Sequence, residues 1–83
     1  MKNTDVIKRM LWFLSTHPGE IFEIKGKNDT KIEIWMWDGE YFSVMTNGLL
    51  VRATEFTAGV NNSIGIYNND QFVGFIQLDM IKR

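Results

Sequence analysis

The pattern of apolar residues divides the chain into a helical N-terminal segment and a longer segment of β-strands. Helical spacing is found at Val6, Ile7, Met10, Leu11, Phe13 and Leu14. Thr4 can cap this helix, and Asp5 places a negative charge at the positive end of the helix dipole. His17 precedes Pro18, which disfavours helical backbone, so we expect the helix to span residues 5–16.

From residue 20 onward, segments rich in β-branched and aromatic residues alternate with turn residues. The turn signals are Asn28-Asp29, Asp38-Gly39, Asn47-Gly48 and Asn68-Asn69-Asp70. Asn-Gly and Asp-Gly tolerate the positive φ angles of tight hairpin turns. Strands are expected at 20–27, 31–37, 40–46, 49–56, 63–67 and 71–79. The predicted fold class is α+β, with the helix packed on a five- to six-stranded antiparallel meander that forms a curled or half-barrel sheet.

Loops of two residues at the first three turns determine which side chains share a face of that sheet. Trp35 then lies opposite both Phe22 and Phe42, and Phe42 lies opposite Ala53. The expected core face, beneath the helix, contains Phe22, Ile24, Trp35, Phe42, Val44, Val51 and Ala53, with Trp37 at its margin. The reverse face contains Ile32, Ile34, Met36, Tyr41, Met45 and Leu50.

The reverse face of the predicted sheet needs a cover, because antiparallel sheets usually leave their second face polar. The candidates are the C-terminal hairpin at residues 63–80, a second copy of the chain, and another protein. The hairpin alternates Ile64, Ile66, Phe72 and Ile76 with Val73 and Phe75, and Gly65 and Gly74 favour a bend in it. Because Trp, Tyr, Met and Arg are enriched at interface centres, the predicted binding residues are Ile34, Met36, Trp37, Tyr41, Met45 and Arg52.

Composition favours one small domain, spanning residues 1–83, that binds a partner. The chain contains 45% hydrophobic residues, no Cys and one His, so neither disulfides nor a typical zinc site can reinforce its core. The formal net charge of −1 disfavours nucleic acid as a partner. The N-terminal apolar run is too short for a membrane span or a signal peptide, and we expect a cytoplasmic protein that binds no membrane.

Catalytic chemistry has little support in the sequence. His17 is the only histidine, and its position favours a role at the helix end over a place in a catalytic triad. Glu33 and Glu40 lack a cleft for use as paired carboxylates. The Asn-rich runs fit turns better than calcium loops, and Lys25, Lys27 and Lys31 form a solubilising tip. No enzyme activity, metal or cofactor is predicted.

Residues 4–26, TDVIKRMLWFLSTHPGEIFEIKG, followed by a hairpin-rich tail, resemble small accessory proteins encoded by phages and prophages of Gram-positive bacteria. The resemblance covers about the first third of the chain and transfers no site residue. It implies a non-enzymatic inhibitor that binds a host enzyme or defence protein. Two alternatives remain open. One is a homo-oligomer that holds a nucleotide-like ligand between subunits, with Trp37 or Tyr41 stacked on the base and Arg52 or a lysine on the phosphate. The other is a weak binder of single-stranded nucleic acid.

Overall fold

A computed structural model describes residues 3–37 and 39–78 of the chain. The elements in order are α1 (Asn3–Thr16), β1 (Phe22–Lys25), a 3₁₀ turn (Lys27–Asp29), β2 (Lys31–Trp37), β3 (Tyr41–Thr46), β4 (Leu49–Ala53), β5 (Glu55–Ala58), β6 (Ser63–Asn68) and β7 (Gln71–Gln77). They form two antiparallel sheets, one ordered β1-β2-β3-β4 and the other β5-β6-β7. The α+β class is therefore correct. The prediction of one five- to six-stranded curled or half-barrel sheet is wrong.

The single predicted strand at 49–56 is divided because the chain bends at Thr54, between β4 and β5. The Thr54 N–H donates to the carbonyl of Tyr67, which lies on β6 in the second sheet. A β-bridge between Gly26 and Leu78 connects the sheets at a second point. The two sheets are thus joined through the chain at one place and by backbone pairing at another.

Helix α1 begins at Asn3, so Thr4 lies within its first turn instead of capping it. Ile7, Met10 and Leu14 are buried, and the helix contacts β1 and β2 of the first sheet as well as β5 and β6 of the second. The end at Thr16 agrees with the sequence. After it, the His17 N–H donates to the carbonyl of Phe13.

The first two hairpins have loops of three residues, whereas loops of two residues were expected from the sequence. In the first, the Gly26 N–H donates to the carbonyl of Thr30, so the three residues of the 3₁₀ turn form the loop. In the second, Trp37 pairs with Tyr41 and again leaves three residues between the strands. The third hairpin has the expected loop of two residues, since Thr46 pairs with Leu49.

Each longer loop moves the pairing by one residue, and one residue of slip turns a strand over because side chains alternate with a period of two. Between β1 and β3 the two slips add to two residues, which returns β3 to its predicted face, so Phe22 and Phe42 both remain on the core side. Strand β2 alone is inverted: Ile34 lies opposite Val44, whereas Trp35 lies opposite Ser43. Ile32, Ile34 and Met36 therefore face the core, which corrects their assignment to the reverse face.

The core lies between the helix and the two sheets. Its buried apolar residues are Ile7, Met10, Leu14, Ile32, Ile34, Val44, Ala53, Phe56, Ile64, Ile66, Ile76 and Leu78. The second sheet contributes four of these, and Leu78 follows it, so β2 shares one core with the helix and the C-terminal part of the chain. Ile32 and Ile34 are therefore covered by other parts of the same chain.

Candidate functional site

The six residues predicted to bind a partner do not come together on one surface. Ile34 is 0% exposed, and Met36 packs against the core. Trp37 pairs with Tyr41 through the backbone, and its side chain lies outside the described part of the structure. Tyr41, Met45 and Arg52 follow the alternation of β3 and β4 onto the outer face of the first sheet.

That outer face contains a cross-strand row of Trp35, Ser43 and Arg52. Ser43 in the middle of the row is only 3% exposed, although it does not face the core. Tyr41 and Met45 lie beside it on β3 and are half-buried. Larger neighbouring side chains therefore cover Ser43 on this face.

The second sheet has an open groove on its outer face, with a volume of about 490 Å³. We call it the outer groove. Its principal lining residues are Thr57, Val60, Gly65, Tyr67, Phe72 and Phe75. The volume falls in the range of sites that hold a small ligand or the side chains of a partner.

A β-bulge in β7 brings the two phenylalanines of this groove together. Gly74 pairs with Ile66, but Tyr67 pairs with Phe72, so Val73 is the extra residue in β7. With strict alternation, residues 72 and 75 would lie on opposite faces. Because of the bulge, both line the outer groove; Phe72 is 55% exposed and Phe75 is 61% exposed.

The floor of the outer groove depends on a glycine. Gly65 lies between Thr57 on β5 and Phe75 on β7. A Cβ at this position would lie 2.9 Å from Thr57 Oγ1 and 3.3 Å from Tyr67 Cε1. Any other residue would therefore push against the walls and fill the space. Tyr67 itself contacts Phe72 edge to face, with ring centroids 5.4 Å apart.

The rim of the groove is the loop between β5 and β6, and the start of the helix holds it in place. The side-chain amide of Asn3 donates to the carbonyls of Gly59 and Ser63, each at 2.8 Å. The Gly59 N–H also donates to the carbonyl of Ser63. Val60, at the tip of this loop, is 79% exposed. The apolar side chain of Val60 is thus exposed at the tip of a loop whose two ends are joined by hydrogen bonds.

None of the eleven described residues that line the outer groove is charged. The ion pairs found among the described residues lie near the first hairpin, in the other sheet. Lys25 Nζ is 3.1 Å from Asp29 Oδ1, and Lys31 Nζ is 3.2 Å from Glu23 Oε2 and 4.0 Å from Glu33 Oε2. The hydrogen bond to Glu23, reinforced by both negative charges, raises the pKa of Lys31 above its ordinary value. These ion pairs therefore lie on a different sheet from the outer groove.

Other chemical features are few in residues 3–37 and 39–78. These residues contain no group of three or more His, Cys, Asp or Glu side chains placed to hold a metal ion. Across the same ranges, no helix has the length and apolar character needed to cross a membrane. The chain matches no known protein family model, no curated protein and no solved structure.

The outer groove was not predicted from the sequence, although two glycines indicate it. Gly74 stands within a strand of apolar residues, and glycine in such a place often marks a bulge. Gly65 was interpreted as a bend, but it forms the floor of the groove. The strict alternation applied to residues 71–79 assigned Phe72 and Phe75 to opposite faces and so concealed the cluster.

Proposed function

We propose that this protein is a non-enzymatic protein-binding module whose binding surface is the outer groove. The observation that carries the proposal is the exposure of Phe72 and Phe75 side by side on one sheet face. Contiguous apolar surface on a small domain is commonly an interaction site. Buried aromatic anchors also supply much of the energy of protein interfaces.

The chemistry of the groove favours an uncharged, partly apolar partner surface. Its polar side chains, among them Thr57, Asn61 and Ser63, are neutral, and no Lys or Arg occurs in the described lining. Binding of phosphate, whether in a nucleotide or in a nucleic acid, relies on cationic side chains. The composition of the groove therefore supports a protein partner over both of the ligands considered from the sequence.

The specific form of the proposal is an inhibitor of phage or prophage type that acts in the host cytoplasm. Its support is the resemblance of residues 4–26 to small accessory proteins of phages from Gram-positive hosts. Under this form, the captured partner is a host enzyme or defence protein, and its activity falls when the outer groove is occupied.

The test is affinity capture from the lysate of a host cell, followed by reconstitution with the purified partner. The Phe72→Ser/Phe75→Ser variant should remain folded, because both side chains are exposed, and should lose the partner. Leu49→Ser/Leu50→Ser is a matched control, since it removes two exposed apolar residues from the other sheet. If the control loses the partner and the phenylalanine variant keeps it, the outer groove is not the binding surface.

A further inference from the structure

Among the described residues, no strand pairs with the β7 edge of the second sheet, beside the outer groove. β7 pairs with β6 on one side. On its other side, the pairing found among residues 3–37 and 39–78 is a single bridge, from Leu78 just after the strand to Gly26. Beyond Gly26 the chain enters the 3₁₀ turn, where Asn28 and Asp29 have φ of +61° and +60°. The described chain therefore turns away from β7 at the point where a neighbouring strand would continue.

A second cavity, of about 210 Å³, lies along this open edge. We call it the edge cleft. Phe75, Ile76 and Gln77 of β7 line one side, and Lys27, Thr30 and Thr46 are among the residues that line the other. Phe75 and Gln77 also line the outer groove, whereas the core residues Ile32 and Ile76 line only the edge cleft. The edge cleft therefore lies on the core side of the edge strand, and the outer groove lies on its outer side.

The backbone of Phe75 is directed toward the open edge. The Leu78 N–H donates to the carbonyl of Asn62, in the direction of β6. Backbone groups of successive residues in a strand point to alternate sides, so the N–H and C=O of Phe75 point away from β6. An added strand can hydrogen-bond to these groups while its alternate side chains enter the outer groove and the edge cleft.

The charges in the two cavities differ. The outer groove has no charged residue in its described lining, whereas the edge cleft contains Lys27. Lys27 takes part in none of the ion pairs formed among the described residues. An acidic side chain is complementary to the edge cleft, and an apolar side chain is complementary to the outer groove.

We propose that the protein binds its partner by adding an extended peptide segment to the open edge of β7. The segment carries an apolar residue and an acidic residue an odd number of positions apart, because alternate side chains enter opposite cavities. This inference rests on the proposed function and specifies the mode of binding at the same site. An edge strand with unpaired backbone groups is a general template for such pairing.

The test uses a displayed library of random dodecapeptides as the probe. Enriched peptides should share the apolar and acidic pattern and should lose binding to Phe75→Ser. N-methylation of alternate amides, those that face β7, should weaken a synthetic consensus peptide by about 10-fold or more, and methylation of the intervening amides should have little effect. Lys27→Met should weaken it by roughly 3- to 10-fold, whereas Lys8→Met on the exposed face of α1 should not.

Three outcomes would overturn the inference. Equal sensitivity to methylation at all amides would reject strand addition. If those peptides still fail to bind Phe75→Ser, the outer groove remains the binding surface. A library that yields no peptide dependent on Phe75 would also reject it, and lysate capture would still test the protein-binding function. If the free protein is a dimer that Phe75→Lys converts to a monomer, the occupant of the edge is a second copy of the chain.

Discussion

Phe72 and Phe75 line the same groove although they are three positions apart on one strand. The extra residue Val73 shifts the pairing of β7 with β6 and turns Phe72 to the outer face. Without this shift, one of the two rings would point toward the core. A single inserted residue thus converts a strand with apolar side chains on both faces into a strand with a core face and a cluster of exposed aromatic rings.

Gly74 should be required for the bulge. Its φ of +156° is a conformation that side chains with a Cβ rarely adopt, although there is open space around it. Gly74→Ala should therefore lower the free energy of unfolding by about 1–3 kcal/mol through backbone strain alone. Urea denaturation measures the loss. Val73→Thr, which keeps the branched shape at the exposed neighbouring position, serves as the control; equal stability of Gly74→Ala and wild type would contradict this explanation of the bulge.

The orientation of β2 can be tested with paired substitutions. Ile34→Asn introduces an amide into the core and should cost more than about 3 kcal/mol, a large part of the stability of a small domain. Trp35→Asn places the same amide on the outer face, next to Ser43, and should leave a cooperatively unfolding protein. Circular dichroism during thermal unfolding distinguishes them. Folded Ile34→Asn together with unfolded Trp35→Asn would restore the register expected from two-residue loops.

The helix, the positions of most strands and the hairpins β3-β4 and β6-β7 could be predicted from the sequence because their signals are local. The Asn47-Gly48 and Asn69-Asp70 turns have positive φ angles, as their residue types indicate. The lengths of the first two loops could not be predicted from the residue types of their turns. Asn28 and Asp29 also have positive φ, but they belong to a turn that begins at Lys27.

The composition of β2 indicates its correct orientation, but the prediction relied on loop lengths of two residues instead. Lys31 and Glu33 alternate with Ile32 and Ile34, and charged side chains seldom face a core. Trp35 shares the face of the two charged residues and therefore lies outside. The outer groove was harder to predict, because it depends on a bulge and on contacts between strands from different parts of the chain, which local patterns do not specify.

Gly26 should be essential for joining the two sheets. A Cβ there would lie 2.8 Å from Ile32 Cδ1 and 3.2 Å from the carbonyl oxygen of Gln77. Gly26→Ala should reduce the free energy of unfolding by about 1–3 kcal/mol, the usual cost of overpacking. Ile32→Val removes the closest atom, so Gly26→Ala/Ile32→Val should recover part of the loss relative to the sum of the single variants. Additive costs would contradict a clash at this point.

The ammonium group of Lys31 should titrate above its ordinary pKa of 10.5, because it donates a hydrogen bond to Glu23 and lies near two negative charges. A pKa that is raised in the folded state stabilises the protein below the unfolded value, and this stabilisation is lost as the pH rises through the folded value. Glu23→Gln should lower the pKa of Lys31, measured by the pH dependence of its side-chain NMR signals. An unchanged pKa in that variant would exclude Glu23 as the main cause.

The most direct test of the outer groove as a binding surface is NMR mapping of the ¹⁵N-labelled protein during titration with the captured partner. We predict that the largest changes in backbone amide signals occur in β6, β7 and the loop around Val60, with Phe72 and Phe75 among the most affected. Changes concentrated instead at Trp35, Ser43 and Arg52, on the outer face of the first sheet, would contradict the account.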